Sequence, residues 1–596
     1  MNIKPIHTFH IPVMGIGYTI DTPIRVAHLG ISSSISLVDD DLLEKIRAFY
    51  CAKFEIPFTA ITHKINDFRS KRITEYLNLV DKIVKEKFEQ LKANAAEKGS
   101  ELEKYCEMLP DFSDLKIKLK QKLHNASESS DLLDWLRNNL KIGDVDVNIM
   151  TKLDKENYIG NEKLPVEFND AHAALRGFAN SNLSSSVILS AGMNPRLYGY
   201  IESFDDFYPD AEGNIKKKII LKISDYRSAL IQGKFLAKKG LWISEFRLES
   251  GLNCGGHAFA SDGFLMGPIL EELKVKRQEL LMALTEAYSA GLKDKGRPIP
   301  NPMPSVRFTA QGGVGTAEEH QMLLDHYQLD SIGWGTPFLL APDVVSIDNE
   351  TLALLSKAKE EDLYLSDISP LGVPFNSLRN NTKDIEKEEN IHAGKPGSNC
   401  PKQYLRINSE FGQKPLCTAS RAFQAKKIAA ITNCEPDSPT YKEQVDKITE
   451  KSCICVGLGT PILLMNNLST KMEGKGVSVC PGPNMAYFSE IVNLKQMTDH
   501  IYGRTNLITR NDRPNLFNKE IGLYIDYLKN LLKKPEEAPN EKYVVTFKQN
   551  LSNGIAYYQK LTTAIKEEYR SVLKGFNTKL EEYRNELEKI QPVPTK

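Results

Sequence analysis

The stretch SVRFTAQGGVGTAEEHQMLLDHYQLDSIGWGTPF, residues 305–338, decides the fold. It has the pattern of a β-strand, a glycine loop, a helix, a second strand and a second glycine site. The first loop carries Gly312, Gly313 and Gly315 within four residues, and Gly335 and Thr336 follow one strand-helix repeat later. This arrangement predicts parallel strands joined by helices.

Further strand-like runs lie upstream, and most are followed by helix-compatible sequence: FHIPVMGIG, ISSSISLV, SSVILSAG, KKIILKIS and LWISEFRLES. Alternation of strands and helices indicates an α/β fold with a parallel sheet. Single strands that end in glycine loops favour a closed (β/α)8 TIM barrel over an open sheet. We therefore predict a TIM barrel with a helical insertion and a mixed, largely helical C-terminal region.

Composition shifts predict the domain organisation. Residues 1–60 and 166–385 are assigned to the barrel, and residues 61–165, which are charged and have helical spacing, to a helical insertion. That insertion is either a packing cap on the barrel or a lid or partner surface. Residues 386–500 are predicted to form a cysteine-rich α/β segment, and residues 501–596 a helical C-terminal region.

Composition also limits the function classes. Lysine plus arginine and aspartate plus glutamate number 77 each in the 596 residues, so no charge excess recruits nucleic acid or an anionic membrane. No apolar run reaches the roughly 20 residues of a membrane span, and the N-terminus lacks signal-peptide features. Nine cysteines are too few for a disulfide scaffold. We expect a cytoplasmic protein with a small-molecule substrate and without nucleic-acid or membrane partners.

The two glycine sites have the composition of a phosphate-binding site. Glycine leaves backbone N–H groups accessible to an anion, and TIM barrels bind phosphate in the loops after strands seven and eight. Thr316 is placed to cap a helix that begins at Ala317. The alternative is that these glycines only make tight turns.

The loop ESGLNCGGHAF follows the strand LWISEFRL and places His257 directly after Gly255 and Gly256. With this loop, the sequence resembles the nitronate monooxygenase family, formerly called 2-nitropropane dioxygenases. The resemblance covers residues 8 to about 60 and 180 to 380, and is carried by several segments in order: IPVMGIGYTIDTPIRVAHLGISSSIS, KKIILKISDYRSALIQGKFLAKKGLWISEFRLESGLNCGGH, GGVGTAEE, GWGTPFLL and YLSDISPLGVPFNSLRN.

The resemblance implies an FMN-dependent oxidoreductase, a monooxygenase-type flavoprotein that oxidises a small nitronate-like or related carbon acid. It implies proton handling by His257 beside the flavin; the alternative is a core histidine. Lys222 is a candidate for pairing with the flavin, or an ordinary surface lysine. The cofactor-binding residues it implies are Met14, Gly15, Lys222, Gly255, Gly256, Gly312, Gly313, Gly315, Gly335 and Thr336. An NAD(P)H-dependent flavin enoyl reductase and a non-catalytic binding or assembly module are the alternative functions.

Six cysteines lie in one segment of about eighty residues and lack the CxxC spacing of common zinc or ferredoxin sites: Cys400, Cys417, Cys434, Cys453, Cys455 and Cys480. They are either reduced structural cysteines or ligands of a metal or iron-sulfur cluster. CVGLGTPIL within this segment is predicted as a strand and turn. From Val544 to Ile590 apolar residues recur at helical spacing. That face either packs on the barrel or forms a homo-oligomer through a coiled coil.

Overall fold

Eight parallel strands close into a barrel in the computed structural model. The structure describes residues 6–94, 99–125, 130–190, 192–436, 438–508, 510–533, 539–570, 572–573 and 575–591. The barrel strands are β1 Phe9–His10, β2 Ser33–Ser36, β3 Val145–Ile149, β4 Ser186–Leu189, β5 Lys218–Ile223, β6 Ile243–Glu249, β7 Arg307–Gln311 and β8 Ser331–Gly333. Neighbours in sequence are neighbours in the sheet, and β8 pairs with β1. A parallel bridge between Ile11 and Ser33 joins β1 to β2, which closes the ring and confirms the predicted TIM barrel.

Helices surround the barrel and fill the C-terminal region. They are α1 Thr22–Val26, α2 Asp40–Lys53, α3 Phe68–Ala93, α4 Glu101–Met108, α5 Asp114–Asn125, α6 Ser130–Asn139, α7 Asp170–Ala179, α8 Pro195–Tyr200, α9 Tyr226–Ala237, α10 Met266–Val275, α11 Arg277–Asp294, α12 Ala317–His326, α13 Asn349–Leu355, α14 Thr382–His392, α15 Arg421–Ala429, α16 Pro439–Thr449, α17 Ile454–Gly457, α18 Thr460–Met465, α19 Leu494–Ile501, α20 Leu516–Leu532, α21 Glu541–Ala564 and α22 Phe576–Glu588. A short antiparallel hairpin pairs Tyr158–Ile159 with Glu162–Lys163, and a second pairs β9 Leu363–Ser366 with β10 Phe375–Leu378.

The interval 61–165 is not only a helical insertion, because it contains the barrel strand β3. Asp146 and Asn148 of this strand are buried, so β3 is a core strand although its sequence contains polar residues. The helices before it belong to the barrel's outer layer: α3 packs along both α2 and α7. The part of this interval that the structure describes therefore completes the barrel.

Part of the barrel interior is charged. Glu245 and Arg247 are almost fully buried, and the Glu245 carboxylate pairs with Arg247 at 2.6 Å and with Arg307 at 3.0 Å. Asp146 accepts a hydrogen bond from the backbone N–H of Ser186 at 3.0 Å. Burial, followed by the nearby charge of Asp144, raises the pKa of Asp146 to about 7. The free energy of unfolding therefore falls as the pH rises through 7 and the buried Asp146 carboxyl ionises.

The cysteine-rich segment is helical and irregular where it is described, and CVGLGTPIL forms the helices α17 and α18 instead of the predicted strand. It covers the C-terminal end of the barrel. The Gly17 N–H donates to the carbonyl of Leu458 at 2.8 Å, and the Tyr18 hydroxyl donates to the carbonyl of Ser478 at 2.8 Å. The segment thereby forms a roof over the strand ends.

The apolar face of the C-terminal helices is buried within the chain, as the packing interpretation predicts. Val544, Phe547, Leu551 and Tyr558 of α21 are fully buried, and this helix runs through Gly554 without a break. In the described part of the chain no single helix has both the length and the hydropathy of a bilayer span, although the bent pair Pro439–Thr449 and Ile454–Met465 passes on length and composition alone.

Candidate functional site

An open cavity lies at the C-terminal edge of the barrel. Its floor is formed where β6, β7 and β8 end, at Glu249, Gln311 and Gly333. The walls come from the loops after β1, β6, β7 and β8, and the roof from the cysteine-rich segment at Val479, Cys480 and Asn484.

Five backbone N–H groups beside this cavity have no hydrogen-bond acceptor among the residues that the structure describes. They belong to Gly312, Gly313 and Val314 after β7, and to Gly335 and Thr336 after β8. Buried N–H groups in folded proteins are nearly always paired. Unpaired donors from two neighbouring loops at one cavity are the arrangement with which proteins bind anions.

The next N–H group in the first loop is already paired. The Glu319 carboxylate accepts from Gly315 at 2.9 Å, and the Thr316 side chain accepts from the backbone of Glu319, which confirms Thr316 as the N-cap of α12. Gly315 is also absent from the residues that line the cavity. The prediction that it contributes to the phosphate site is therefore wrong for its N–H group.

Arg513, far along the chain, holds the outer side of the same loop. Its guanidinium donates to the Gly313 carbonyl at 2.9 Å, to both Glu319 oxygens at 2.8 and 2.9 Å, and to Asn484 Oδ1 at 3.0 Å. The Asn484 amide in turn donates to the Val314 carbonyl at 2.9 Å. These bonds engage the carbonyls of Gly313 and Val314 and hold the loop in one conformation beside the cavity.

The glycines are also required by close packing. Gly313 has φ +76°, and a Cβ there would lie 2.0 Å from Asn253 Nδ2. At Gly335 a Cβ would meet Pro12 at 3.2 Å and Met14 beyond it. At Gly256, with φ +79°, a Cβ would meet no atom within 4 Å. The tight-turn interpretation and the anion-site interpretation therefore both apply to the first loop.

A charged group occupies the cavity floor. Glu249 accepts from Gln311 Nε2 at 2.5 Å on one oxygen and pairs with Lys222 Nζ at 2.6 Å through the other. Lys222 itself is not among the residues that line the cavity. Lys222 therefore lies behind the cavity wall. Its charge neutralises the Glu249 carboxylate, which does face the cavity.

Two thiols face the cavity from opposite sides. Cys254 lies after β6, and Cys480 lies in the roof, where its carbonyl accepts from the Gly256 N–H at 3.2 Å. Burial raises the pKa of Cys480 to about 12 and that of Cys254 well above its usual value. Both are therefore neutral thiols at physiological pH.

His257 lies just outside the cavity wall. Its Nε2 is 2.7 Å from the Ser369 hydroxyl, its ring makes an edge contact with Phe375, and its backbone bridges to Phe375 in β10. Burial, with the nearby charge of Lys152 as a second cause, lowers the pKa of His257 to about 4. The imidazole is therefore neutral at pH 7, and it is a weaker base than an ordinary histidine.

Most of the residues implied by the resemblance meet at this cavity. Those that line it are Met14, Gly15, Gly255, Gly256, Gly312, Gly313, Gly335 and Thr336, whereas Lys222, His257 and Gly315 do not. Sequence reasoning missed Glu249, Gln311 and Asn253, and the roof residues Cys480 and Asn484. Only the position of Glu249 and Gln311 at strand ends could have indicated them.

The described residues contain no group of three or more histidine, cysteine, aspartate or glutamate side chains arranged to hold a metal ion. The described cysteines between residues 400 and 480 therefore form no such group. All nine cysteines of the chain are free thiols. The metal interpretation of that segment has no support in this geometry.

No protein-family model matches the sequence, and no curated protein matches it. Solved structures that match include FabK from Thermotoga maritima, with 13% identity over 68% of this chain and 85% of that chain and a TM-score of 0.30. The enoyl reductase domain of MlnA from Bacillus amyloliquefaciens matches with 12% identity, 68% and 90% coverage and a TM-score of 0.32. A nitroalkane oxidase from Streptomyces ansochromogenes matches with 10% identity, 84% and 96% coverage and a TM-score of 0.33. The barrel assignment rests on the strand pairing of this chain.

Proposed function

We propose that this protein is an FMN-dependent oxidoreductase of the nitronate monooxygenase type, which oxidises a small nitronate-like carbon acid. The observation that carries the proposal is the set of five unpaired backbone N–H groups, from Gly312–Val314 and Gly335–Thr336, at one cavity. A phosphate monoester is the ligand class that such donors at the ends of the seventh and eighth barrel strands bind. The order of the motifs along the chain supports FMN as the molecule that carries this phosphate.

The residues present fit FMN. The two loops would hold the phosphate, and Met14, Gly15, Gly255 and Gly256 would contact the ring. The two thiols at the cavity are neutral, and the Glu249 carboxylate is paired with Lys222, so none of these leaves an isolated negative charge against the phosphate. Bound FMN would supply a ring that accepts two electrons from the substrate.

The chain's own residues would then position the substrate and, where it binds as the neutral carbon acid, take up its proton. The roof formed by Val479 and Cys480 restricts water at the cavity, which strengthens electrostatic contacts inside it. The resemblance assigns the proton acceptor to His257, which is neutral at pH 7 and lies behind the Gly255–Gly256 wall, outside the cavity surface. The Lys222–Glu249–Gln311 group would orient polar atoms of the ring or the substrate from the floor.

Purification tests the proposal directly. We expect a yellow protein, or one that takes up FMN on reconstitution, with flavin absorbance that remains after gel filtration. A folded protein, shown by circular dichroism, that stays free of flavin after reconstitution would overturn the proposal.

Anaerobic reduction separates the alternatives. Bleaching of the flavin by an alkyl nitronate, but not by a nicotinamide, supports the monooxygenase assignment. Rapid bleaching by NADH or NADPH, followed by reoxidation by an enoyl thioester, supports the flavin enoyl reductase instead. Flavin that binds but reacts with neither donor supports a non-catalytic module.

A further inference from the structure

Two cysteines outside the cavity form a close pair. Cys400 is half-buried, and its Sγ accepts a hydrogen bond from the backbone N–H of Gln403 at 3.3 Å. Cys453 is buried at the N-cap of α17, and its side chain interacts with that of Cys400. The two residues are 53 positions apart in sequence, so the fold brings them together.

The segment that carries Cys400 is held on both sides. Ser398 exchanges backbone hydrogen bonds with Ala419 at 2.9 Å and Arg421 at 3.0 Å. The side chains of Lys402 and Tyr404 both bind the buried carboxylate of Asp39 at the start of α2. The thiol is therefore presented by an anchored loop.

Cys453 lines a shallow pocket beside the loop that carries Cys400. Gly397 and Ser398 of that loop also line it, together with Lys383, Glu386 and Lys451. A small polar oxidant reaches the pair at Cys400, which is the more exposed of the two thiols. Cys434, also half-buried, lies in the same segment and provides a comparison thiol.

The surroundings favour the ionised form of Cys400. The hydrogen bond with Cys453, then the backbone N–H groups of Gln403 and Lys402 and the Lys402 charge, lower the pKa of Cys400 to about 6. The same hydrogen bond, followed by burial, raises the pKa of Cys453 well above its usual value. At neutral pH the pair is a thiolate beside a thiol, the arrangement of a peroxidatic cysteine and its resolving partner.

We propose that Cys400 and Cys453 are a modification site for hydroperoxides, at which the two thiols are converted into a disulfide. The Cys400 thiolate attacks one oxygen of the peroxide: an S–O bond forms, the O–O bond breaks, and the departing alkoxide or hydroxide takes a proton. The Cys453 sulfur then attacks the sulfenic sulfur: an S–S bond forms and the S–O bond breaks. The released hydroxide leaves as water with the Cys453 proton, so two thiols and one peroxide give one disulfide, one alcohol or water, and one water.

The first step prepares the second. Once Cys400 is a neutral sulfenic acid, the thiolate charge that raised the pKa of Cys453 is gone, and Cys453 ionises more readily. Cys453 also begins the helix whose following residues hold the roof: Leu458 accepts from Gly17, and Gly457 accepts from Ser478. The disulfide would tether that roof to the loop of Cys400.

Peptide mapping of the full chain tests the proposal. After treatment with stoichiometric hydrogen peroxide and blocking of remaining thiols, we expect a peptide that links Cys400 to Cys453. Cys453→Ser should leave a sulfenic acid on Cys400 that dimedone traps, and Cys434→Ser should form the same link as the parent. A main product that joins Cys400 to Cys417, or a Cys400 oxidised no faster than Cys434, would overturn it.

Alkylation of the parent chain provides a readout that needs no variant. At pH 6 a thiol of pKa about 6 is half ionised, and after correction for its lower intrinsic nucleophilicity it should react with iodoacetamide about tenfold faster than an ordinary thiol of pKa about 8.5. Mass spectrometry of each cysteine peptide against time measures this. A Cys400 rate that rises with pH only above 8 would remove the activated thiolate and with it the proposal.

Discussion

Replacement of Arg513 by methionine tests whether a remote residue holds the anion site. Arg513 is 7% exposed and its partner Glu319 2% exposed, so the variant leaves a buried carboxylate without its cation. Loss of one partner of a buried ion pair typically costs about 3–5 kcal/mol. Glu319 keeps hydrogen bonds from the backbone of Gly315 at 2.9 Å and Leu516 at 2.8 Å. We therefore expect a loss at the lower end, about 3 kcal/mol in the free energy of unfolding.

The assay combines urea unfolding with flavin titration. Arg510→Met is the matched control, because Arg510 is 38% exposed and its ion pair with Asp512 lies on the surface; it should cost less than about 1 kcal/mol. The double variant with Glu319→Gln should recover about half of the loss, because no buried charge remains unpaired. Since Arg513 also fixes the Gly313 carbonyl, its loss should weaken FMN binding about tenfold, or about 1.4 kcal/mol. Equal unfolding midpoints for the Arg513 and Arg510 variants would refute this account of the loop.

Three further predictions address the site and the core. His257→Ala should keep the flavin while turnover falls by about 10²–10⁴-fold, and a variant within twofold of the parent in steady-state assays would make His257 structural. Gly313→Val should lose FMN affinity at least about tenfold, because its side chain meets Asn253 and its φ is +76°; a titration curve equal to that of the parent would contradict this. Asp146 has a folded pKa of about 7, above the roughly 3.9 of an unfolded chain, so its contribution to stability is full below pH 4 and is lost as the pH rises through 7. Asp146→Asn should therefore gain stability over the parent by up to about 4 kcal/mol at pH 8 and little at pH 4, and a gain independent of pH in urea unfolding would reject the assignment.

The parts of the site that are local in sequence could be predicted. The strands β7 and β8, the glycine loops after them and the Thr316 cap each depend on residues within a few positions, and the structure confirms them. Strand β3 was missed because polar residues such as Asp146 and Asn148 are typical of a solvent-exposed segment. In this protein they are buried, because part of the barrel interior is charged. The charges of Arg247 on β6 and Arg307 on β7, two strands that do not pair with β3, partly offset the cost of burying Asp146.

Non-local contacts explain the other errors. CVGLGTPIL has the apolar, glycine-containing pattern of a short strand, and such runs do not distinguish strand from helix by periodicity. Pro461 suits the first turn of α18, and the contact of Leu458 with Gly17 fixes the position of α17. The roof residues Cys480 and Asn484 carry no motif of their own. Their place at the cavity depends on the whole chain, as does that of Arg513.

The residues that form the floor and the roof of the cavity are far apart in sequence, which determines when the cavity can form during synthesis. Thr336 leaves the ribosome 143 residues before Val479, which is roughly 7–30 s at ordinary rates of synthesis. During that interval the ends of β6, β7 and β8 have no cover from the nascent chain. A ligand that binds then meets an uncovered floor, whereas one that binds the finished protein must pass the roof. Loading during translation and loading of the purified protein are therefore different events for this molecule.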